Sequence, residues 1–409
     1  MPPLDPATIE ERRQKKRAER EAKRKEQQQH QPPAMPIPFQ RTWQTLATSS
    51  KTAQSVSVMS YNILAQALCQ RELFPHAGNM LKWKTRRKMI VDEIAYYRPQ
   101  LLCLQEVDNY DEFYKAAFAK LGYQTTYHRH ETKRQGCMIG YLDDEWKQVG
   151  YETLDYDTDP ACPATQFTGN VAQMMALTKI ERDCGSHESG ESPALPTTII
   201  LGNTHLYWRP PSTYERCRQG LIYHHRLWEM QKTWAANNDQ SNVWPVLCGD
   251  LNTQPSDPLY ALLTGQPLSE YQMVCMESTR RSFGDDDHDF EPPTDKSVAM
   301  DPAHASDAFS LDQLVAAIGP LPDQWMKSAY NHHGRYHESH VGRYKSTEPD
   351  YTIFAHVFKG TLDYILVPRP ITPTQCLLLP PYEKMSPAIP NESFGSDHLS
   401  LVAQLSLPQ

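Results

Sequence analysis

The amino-acid sequence predicts a mixed α/β sandwich rather than a simple doubly wound sheet. Strand-like and helix-like segments alternate along most of the chain, yet several strand-like segments follow one another with no helix between them. The chain has 409 residues, of which 39% are hydrophobic and 22% are charged, so it can bury a sizeable core. We therefore expect one folded α/β domain behind a charged N-terminal tail.

The spacing of apolar side chains predicts the individual elements. Residues 55–64 are rich in Val with a period near two, which is typical of a strand. Residues 83–98 form a predicted helix, because Trp83, Ile90 and Ile94 recur on one helical face. The further predicted elements, in chain order, are a strand at 101–107, a helix at 111–122, strands at 136–142, 170–178 and 197–206, a helix at 213–238, and strands at 244–251, 361–367 and 399–406.

The first 54 residues have the composition of a disordered tail. Residues 10–26 hold nine Lys and Arg against five Asp and Glu, whereas the whole chain has a net charge of −8. A basic tail on an acidic body suggests RNA binding or nuclear import, and a solvated tail without a specific partner is an equally favoured alternative. Residues 27–38 are rich in Gln and Pro and should be a disordered linker, so the folded domain is expected over 55–409.

Cysteine usage and hydropathy indicate the compartment. The nine cysteines occur without CxxC pairs, which indicates a reducing compartment with neither a disulfide framework nor a zinc finger. No apolar segment reaches about 18 residues and the N-terminus lacks an apolar signal core, so we expect no membrane span and no secretion. The protein should act inside the cell, in the nucleus, the nucleolus or the cytoplasm.

Six segments place polar side chains at, or beside, the ends of apolar runs. Taken singly, an Asp at a strand end is more often a turn or a cap, and a His in a strand is more often a hydrogen-bonded core residue. Carboxylates and imidazoles resist burial unless they are paired, so the repetition predicts that these side chains converge at one edge of a sheet. The residues are Asn62, Glu106, Asn203, His205, Asp250, Asn252, Asp363, Asp397 and His398.

The segment VLCGDLN, residues 246–252, shows this pattern most clearly. Its apolar residues suit a sheet interior, and Gly249 leaves room for a close backbone approach. Asp250 and Asn252 are alternate residues, so on an extended chain their side chains would face the same side. Oxygen ligands without thiolates suit Mg²⁺ or Mn²⁺, and acids and histidines beside such an ion are the parts of metal-assisted phosphodiester hydrolysis.

The ordered segments MSYNILA, LQEV, NTHLYW, GDLN, KGTLDYI and GSDHLSL resemble the endonuclease/exonuclease/phosphatase superfamily. More narrowly they resemble its deadenylase and nocturnin branch, and the resemblance covers about residues 55–407. Two further segments, 67–86 and 330–340, together with the basic tail, are most similar to the fungal RNA exonucleases of ribosomal RNA 3′-end processing. The resemblance implies a four-layer sandwich of two mixed β-sheets flanked by helices, with the site in the cleft between the ends of the sheets.

For function, the resemblance implies a Mg²⁺-dependent 3′-to-5′ exoribonuclease that acts on single-stranded RNA 3′ ends in the maturation of 5.8S ribosomal RNA. Mn²⁺ is a possible substitute for Mg²⁺. Two other enzyme activities stay open, namely a poly(A) deadenylase in mRNA turnover and a nocturnin-like phosphatase on NADP(H). A different class is a non-catalytic RNA-binding scaffold that makes its main contact through the basic tail. We expect no leucine-rich-repeat scaffold before the domain, because only about 54 residues precede it in this sequence, and a monomer is expected.

The resemblance also assigns a role to each of the motif residues by position. It implies Glu106 as the principal metal ligand with Asn62 beside it, and Asp250 as the group that activates or orients the water. Asn252 and His205 would contact the scissile phosphate. The remaining site residues are Asp397 and His398, which would complete the site near the phosphate or the metal, and Asp363, which would orient a catalytic histidine.

Substrate contacts are implied next to these motifs. Phe358 corresponds to a base-stacking Phe of the deadenylases, and Pro210 in NTHLYWRPP would cover the other face of the base. The alternative is that Phe358 is a core residue of its strand. Arg209 stands where the deadenylases often have an acid, which reduces the expectation of adenine preference and offers a phosphate contact.

The stretch 253–357 shows few clear elements. Its acidic run, residues 284–293, is expected to be a mobile loop. The His-rich residues 330–340 suggest zinc by composition, but no Cys accompanies them, so a polar loop over the cleft is the favoured interpretation.

Overall fold

The computed structural model describes six ranges of the chain. Outside them lie the basic tail, the Gln/Pro linker, the acidic run 284–293 and most of the His-rich stretch 330–340. The described elements belong to one compact unit, Arg41–Gln409. The described residues are 39–47, 54–181, 196–281, 308–318, 325–331 and 347–408.

The described strands form two large sheets and one small pair. In chain order they are β1 (Trp43–Thr45), β2 (Gln54–Asn62), β3 (Leu101–Val107), β4 (Tyr123–His128), β5 (Gly136–Leu142), β6 (Trp146–Asp155), β7 (Val171–Lys179), β8 (Thr198–His205), β9 (Val243–Asp250), β10 (Met326–Ser328), β11 (Ile353–Phe354), β12 (Lys359–Gly360), β13 (Asp363–Pro368), β14 (Thr372–Leu377) and β15 (Leu401–Leu407). Within the described residues, one sheet has the order β1-β14-β15-β2-β3-β5-β4, and the other has the order β10-β13-β9-β8-β7-β6. β11 pairs with β12.

The described helices flank the two sheets. In chain order they are α1 (Trp83–Tyr97), α2 (Lys115–Ala119, which continues a π-helical turn at Tyr110–Tyr114), α3 (Thr213–Asn238), α4 (Pro258–Thr264), α5 (Glu270–Arg281), α6 (Leu311–Ile318) and α7 (Tyr382–Met385). Ile90 of α1 packs in a buried cluster with Met59 of β2, and Tyr223 of α3 packs in another with Ile200 of β8. Among the helices that are described, none has both the length and the hydropathy needed to cross a bilayer.

This architecture confirms the predicted sandwich of two mixed β-sheets flanked by helices. Each element that the apolar spacing predicted is present, with bounds that differ by a few residues. The spacing did not predict β4, β6, β10 or β14, and in β6 a bulge between Gln148 and Gly150 interrupts the period of two. It also left out α4, α5 and α6, which lie within the stretch 253–357.

An additional strand, β1, precedes the predicted start of the domain near Ser55. It pairs antiparallel with β14, with Trp43 opposite Leu377. Arg41, just before this strand, is buried and donates hydrogen bonds from Nη2 to the Ser400 carbonyl oxygen at 2.7 Å and to the Ser400 hydroxyl at 2.9 Å. The strand has three residues that are at most half-buried, so no apolar period marks it in the sequence.

Two parallel strand pairs bring the polar strand ends together. β2 runs parallel to β3, and β8 runs parallel to β9 with His205 opposite Asp250. Parallel strands that begin side by side also end side by side, so their last residues meet at one edge. β13 is antiparallel to β9, but it begins at Asp363, which stands opposite Asp250. One edge of the second sheet therefore carries three predicted site residues.

Buried amides connect the two sheets behind this edge. Asn203 of β8 donates from Nδ2 to the carbonyl oxygens of Leu104 and Met138, at 2.9 Å each. Its Oδ1 accepts a hydrogen bond of 2.8 Å from Gln105 of β3. The amide of Asn203 thus has all its hydrogen-bonding capacity used, as a buried polar group requires. Asn203 joins the sheets and lies deeper than the strand ends.

A buried acid, Glu348, connects α4 to β10. Its Oε1 accepts from the Tyr260 hydroxyl at 2.7 Å, and its Oε2 accepts from the Ser328 hydroxyl at 3.0 Å. Burial raises the pKa of Glu348 from 4.5 to about 7, although both hydroxyls oppose the shift. The neutral carboxyl is therefore the form that the folded protein favours at mildly acidic pH.

We predict that Glu348 makes the protein less stable as the pH rises from 4.5 to about 7. Its stabilising contribution is fully present below the unfolded pKa, because both states then hold the proton, and it is lost as the pH rises through the folded pKa. One unit of pKa difference corresponds to about 1.4 kcal/mol, so the expected total is on the order of 3 kcal/mol. Urea unfolding at stepped pH values measures the effect.

The control variants isolate this carboxyl. Glu348→Gln keeps the size of the side chain but has no proton to lose. As the pH rises across this window, its free energy of unfolding should therefore increase relative to that of the wild type. Glu112→Gln changes an exposed acid and should follow the wild-type profile. Identical pH profiles for the wild type and Glu348→Gln would contradict the prediction.

Candidate active site

Asp250 is the centre of the site. It is 1% exposed at the end of β9, and its Oδ2 accepts a hydrogen bond of 2.9 Å from Nδ2 of Asn62. The same oxygen lies 3.5 Å from Nε2 of His205 and 3.7 Å from Nε2 of His398. Burial raises the pKa of Asp250, the two histidines oppose this, and the charge of Asp363 adds to it. One carboxylate oxygen, Oδ2, thus contacts three other predicted site residues.

Asp363 and His398 form a hydrogen-bonded pair. Nδ1 of His398 lies 2.8 Å from Oδ2 of Asp363, so Nδ1 carries a proton and Nε2 faces Asp250. Thr352 donates from its hydroxyl to the same Asp363 oxygen at 2.5 Å. Burial lowers the pKa of His398, but the charge and hydrogen bond of Asp363, together with the charges of Asp250 and Asp397, outweigh burial and hold the pKa well above the usual value. The pair therefore keeps a protonated imidazole in one orientation.

Glu106 adopts a left-handed backbone conformation with φ of 56°, which is uncommon for a residue other than Gly. The register of β3 against β5 shifts between Leu104 and Val107, and such a bulge redirects side chains. The Glu106 carboxylate accepts from Asn62 Nδ2 at 3.1 Å and from the Ala65 amide at 2.9 Å. The bulge therefore turns a strand residue toward the site edge.

Arg86 of α1 holds the backbone of two segments that carry site residues. It is fully buried, and it donates to the carbonyl oxygens of Ile63 at 2.6 Å, of Gly395 at 2.7 Å and of Leu64. Those residues flank Asn62 and Ser396, and the Ser396 hydroxyl donates to the Asn62 carbonyl oxygen at 2.7 Å. One guanidinium thus fixes two segments of the site that are far apart in sequence.

Asn252 reaches the site in a different way from the one the sequence indicated. β9 ends at Asp250, and Asn252 has a positive φ of 48°, so the prediction of two side chains on one face of an extended chain is wrong. The backbone amide of Asn252 donates to Asp250 Oδ1 at 3.0 Å. The side-chain Nδ2 of Asn252 donates to the Leu206 carbonyl oxygen at 2.9 Å. The turn folds Asn252 back over the carboxylate.

Position 249 needs a glycine because the neighbouring strand β8 lies too close for a side chain. A Cβ at this position would lie 2.4 Å from the carbonyl oxygen of Thr204 in β8. The close backbone approach expected from the sequence is thus made by β8, and it allows the ends of β8 and β9 to come together. Without it, His205 and Asp250 would stand farther apart.

The acids and histidines that meet at the site, here called the corner, suit a divalent cation as ligands. They are Glu106, Asp250, Asp363, Asp397, His205 and His398. Asp397 is buried next to His398, burial raises its pKa to about 6, His398 opposes this shift, and the charge of Glu106 adds to it. Ligand atoms of Asp250, Asp363 and His398 also lie within 4.8 Å of one another. The corner thus holds four carboxylates and two histidines, an excess of negative charge that a hard cation would offset.

The predicted substrate residues lie on loops that adjoin this corner. Phe358 is 38% exposed, so it is not a core residue of its strand. A Cβ on Gly360 would lie 2.8 Å from its ring and 3.3 Å from the Gln254 side chain, which places the Phe358 ring beside the loop that follows Asp250. Pro210 is exposed and Arg209 is half-buried, in the segment that follows His205.

The sequence did not indicate four of the residues that support the site. Arg86, Thr352 and Ser396 act on it through contacts described above, and Asn170 donates from Nδ2 to the His205 carbonyl oxygen at 2.7 Å. Ser396 alone has a visible signal, because it belongs to the quoted segment GSDHLSL. The other three are distant in sequence from the residues that they contact.

Comparison with known proteins gives consistent matches. A family model described as "Endonuclease/Exonuclease/phosphatase family" matches residues 59–398. The RNA exonuclease NGL2 of Saccharomyces cerevisiae is 30% identical over 406 residues, which cover 86% of this chain and 78% of that protein. The probable RNA exonuclease C9B6.11c of Schizosaccharomyces pombe is 28% identical over 408 residues, covering 88% of this chain and 77% of that protein. The crystal structure of ANGEL2, a 2′,3′-cyclic phosphatase, has the same fold, with a TM-score of 0.66, 22% identity, and coverage of 90% and 99%.

We predict that Arg86→Lys destabilises the protein by about 3 kcal/mol or more, because a lysine ammonium cannot reach all three carbonyl oxygens and each unsatisfied buried acceptor costs about 1–3 kcal/mol. The free energy of unfolding in urea measures this. Arg87→Lys on the same helix is the matched control, since Arg87 lies over the Phe113 ring at 4.5 Å and is only half-buried. It should cost less than about 1 kcal/mol. Equal losses for the two variants would be evidence against this role of Arg86.

Proposed function

The chain belongs to the endonuclease/exonuclease/phosphatase family, and from this premise we propose that it is a Mg²⁺-dependent 3′-to-5′ exoribonuclease acting on single-stranded RNA 3′ ends. The observation that carries the proposal is the contact of Asp250 with Asn62, His205 and His398 at one sheet edge. Support also comes from the fungal relatives that are named RNA exonucleases. We propose a ribosomal RNA precursor as the substrate, in the nucleolus, nucleus or cytoplasm, and residues 55–409 together with β1 as the catalytic domain.

The metal would be held by Glu106 with Asn62 beside it, and the neighbouring Asp397 adds negative charge there. When bound, Mg²⁺ supplies Lewis-acid polarisation of a phosphate oxygen and offsets the negative charge of the carboxylates. The donor set supports this assignment, because it is made of carboxylates and an amide with no thiolate.

Asp250 is the proposed group that orients the attacking water and accepts its proton. Asn62 Nδ2 donates to its Oδ2 and the backbone amide of Asn252 donates to its Oδ1, so the carboxylate keeps one orientation toward the site edge. Burial raises its pKa, which makes the carboxylate a better proton acceptor. A positioned base of this kind contributes about 10²–10⁴-fold to a rate.

His205, Asn252 and His398 are the proposed phosphate contacts. His205 lies at the end of β8 with part of its side chain exposed, so it can donate to a substrate oxygen. His398 is held protonated by Asp363, which lets it stabilise the charge that develops on a non-bridging oxygen. Asp363 acts by orienting that imidazole.

Variants of the two central acids test the proposal. Glu106→Gln and Asp250→Asn should each lower kcat by about 10²–10⁴-fold on a short single-stranded RNA with Mg²⁺, because the first weakens the proposed metal site and the second removes the proposed proton acceptor. Chelation of the metal should abolish mononucleotide release by the wild type. Glu152→Gln, an exposed acid of β6, is the matched control and should keep full activity.

The substrates in this assay separate the alternatives. Oligo(A), oligo(U) and a ribosomal precursor 3′ end should be compared with NADP(H) under the same conditions. Preferred release of inorganic phosphate from NADP(H), or mononucleotide release that survives Glu106→Gln, would rule the proposal out. A strong preference for oligo(A) would instead favour a deadenylase.

We predict that Phe358→Ala raises KM for RNA by about tenfold with little change in kcat, since one base stack contributes about 1–3 kcal/mol to binding. The loss should be similar for oligo(A) and oligo(U), because any base has a face to stack. Val357→Ala is the matched control, since Val357 is the exposed neighbour of Phe358. An unchanged KM for Phe358→Ala would contradict the stacking role.

A further inference from the structure

Phe167 has the highest exposure, 88%, of the large apolar side chains in the described part of the chain. It lies in the loop between β6 and β7. A second exposed aromatic, Trp208, is 62% exposed in the segment that follows His205. Neither ring stacks on another aromatic ring within the described residues. Two large rings with open faces near the site therefore need an explanation.

Hydrogen bonds on both sides of Phe167 tie its loop to the segment that carries Trp208. Before it, Gln166 donates from Nε2 to the Ser212 hydroxyl at 3.0 Å. After it, the Thr168 hydroxyl accepts from Nε2 of Gln219 at 3.0 Å, and Oε1 of the same Gln219 accepts from the Tyr207 amide at 3.1 Å. Phe167 is thus held beside residues 207–212.

The loop is anchored rather than loose. The Asp157 carboxylate accepts from the amides of Thr168 at 2.9 Å and of Gly169 at 2.7 Å. Asn170 then joins the loop to the His205 carbonyl oxygen at 2.7 Å. The exposure of Phe167 is therefore a fixed feature of the loop, three residues from a contact with the active site.

Lys133 offers a cation next to this loop. The Lys133 side chain packs on Gly169, where an added Cβ would lie 2.9 Å from Lys133 Cε. The charges of Asp157 and Glu106 both act on Lys133, so its ammonium lies within electrostatic range of both the loop and the candidate metal corner. A cation close to both an exposed aromatic ring and a phosphodiester site is an arrangement that binds single-stranded nucleic acids.

We propose that Phe167 and Trp208 form an outer base-stacking surface for single-stranded RNA, and that Lys133 contacts a phosphate between that surface and the active site. This inference rests on the proposed exoribonuclease function and extends it from the terminal nucleotide to the RNA behind it. The surface would hold bases on the 5′ side of the scissile bond. Because stacking is tolerant of sequence, it would set the length of RNA that is bound rather than its identity.

The test compares RNA lengths. Phe167→Ala should raise KM for a decanucleotide about tenfold, leave KM for a dinucleotide unchanged, and leave kcat unchanged for both. Phe167→Tyr should restore the wild-type KM, because it restores the ring. Tyr271→Ala, which removes a ring that is 60% exposed on α5, is the matched control and should change neither value.

Other results would overturn the inference. An unchanged KM for the decanucleotide, or an equal rise for both RNAs, would mean that Phe167 does not bind the RNA behind the terminal nucleotide. If the wild type cleaves no RNA, the exoribonuclease proposal fails separately. The stacking surface is then tested by fluorescence anisotropy, which measures the affinity of the wild type and of Phe167→Ala for a labelled decanucleotide in EDTA. Weaker binding by Phe167→Ala there supports the surface. An unchanged affinity of Phe167→Ala for the decanucleotide overturns it.

Discussion

The side-chain amide of Asn62 joins the two sheets at the edge where the polar residues meet. Its Nδ2 donates to Glu106 of its own sheet and to Asp250 of the opposite sheet. Its Oδ1 accepts from the Leu64 amide, so both hydrogens and the carbonyl oxygen are used. One side chain thereby sets the distance between the two central carboxylates, and any sliding of one sheet over the other would separate them. The deeper amide of Asn203 resists that sliding.

The electrostatics of the corner follow from this arrangement. Bringing acids from two sheets to one buried edge concentrates negative charge, and the pKa values of Asp250 and Asp397 are raised first by burial and further by the charges of Asp363 and Glu106. His205 and His398 offset only part of it. An anionic phosphodiester would be repelled by the remainder, so the fold itself creates the need for a cation. The same cation that admits the substrate would also polarise it.

Sequence patterns predicted the strands that carry the site and their strand-end residues, because apolar periodicity and polar interruptions are local properties, but they missed several other strands, among them β4, β6 and β14. They could not predict how the ends are held. The Ser396 hydroxyl bonds to the Asn62 backbone across 334 positions, and Thr352 reaches Asp363 from a two-stranded ribbon with no strong period. The extended path expected through Asn252 was wrong, since a left-handed residue after β9 is set by contacts with Leu206 and Asp250. The contacts with Asn62 and Leu206 are long-range and leave no local signature, whereas the hydrogen bond from Asn252 to Asp250 is local.

The proposed catalytic groups and the proposed substrate contacts lie on different parts of the fold. The acids and histidines stand at strand ends that two sheets hold rigidly, whereas Phe358, Phe167 and Trp208 stand on loops at the rim. Hydrolysis of a phosphodiester needs the same charges and distances whatever the base, so the strand ends have little freedom to vary. The loops can change length and aromatic content without moving Asp250. A fold divided in this way can keep one reaction and direct it to different phosphate esters.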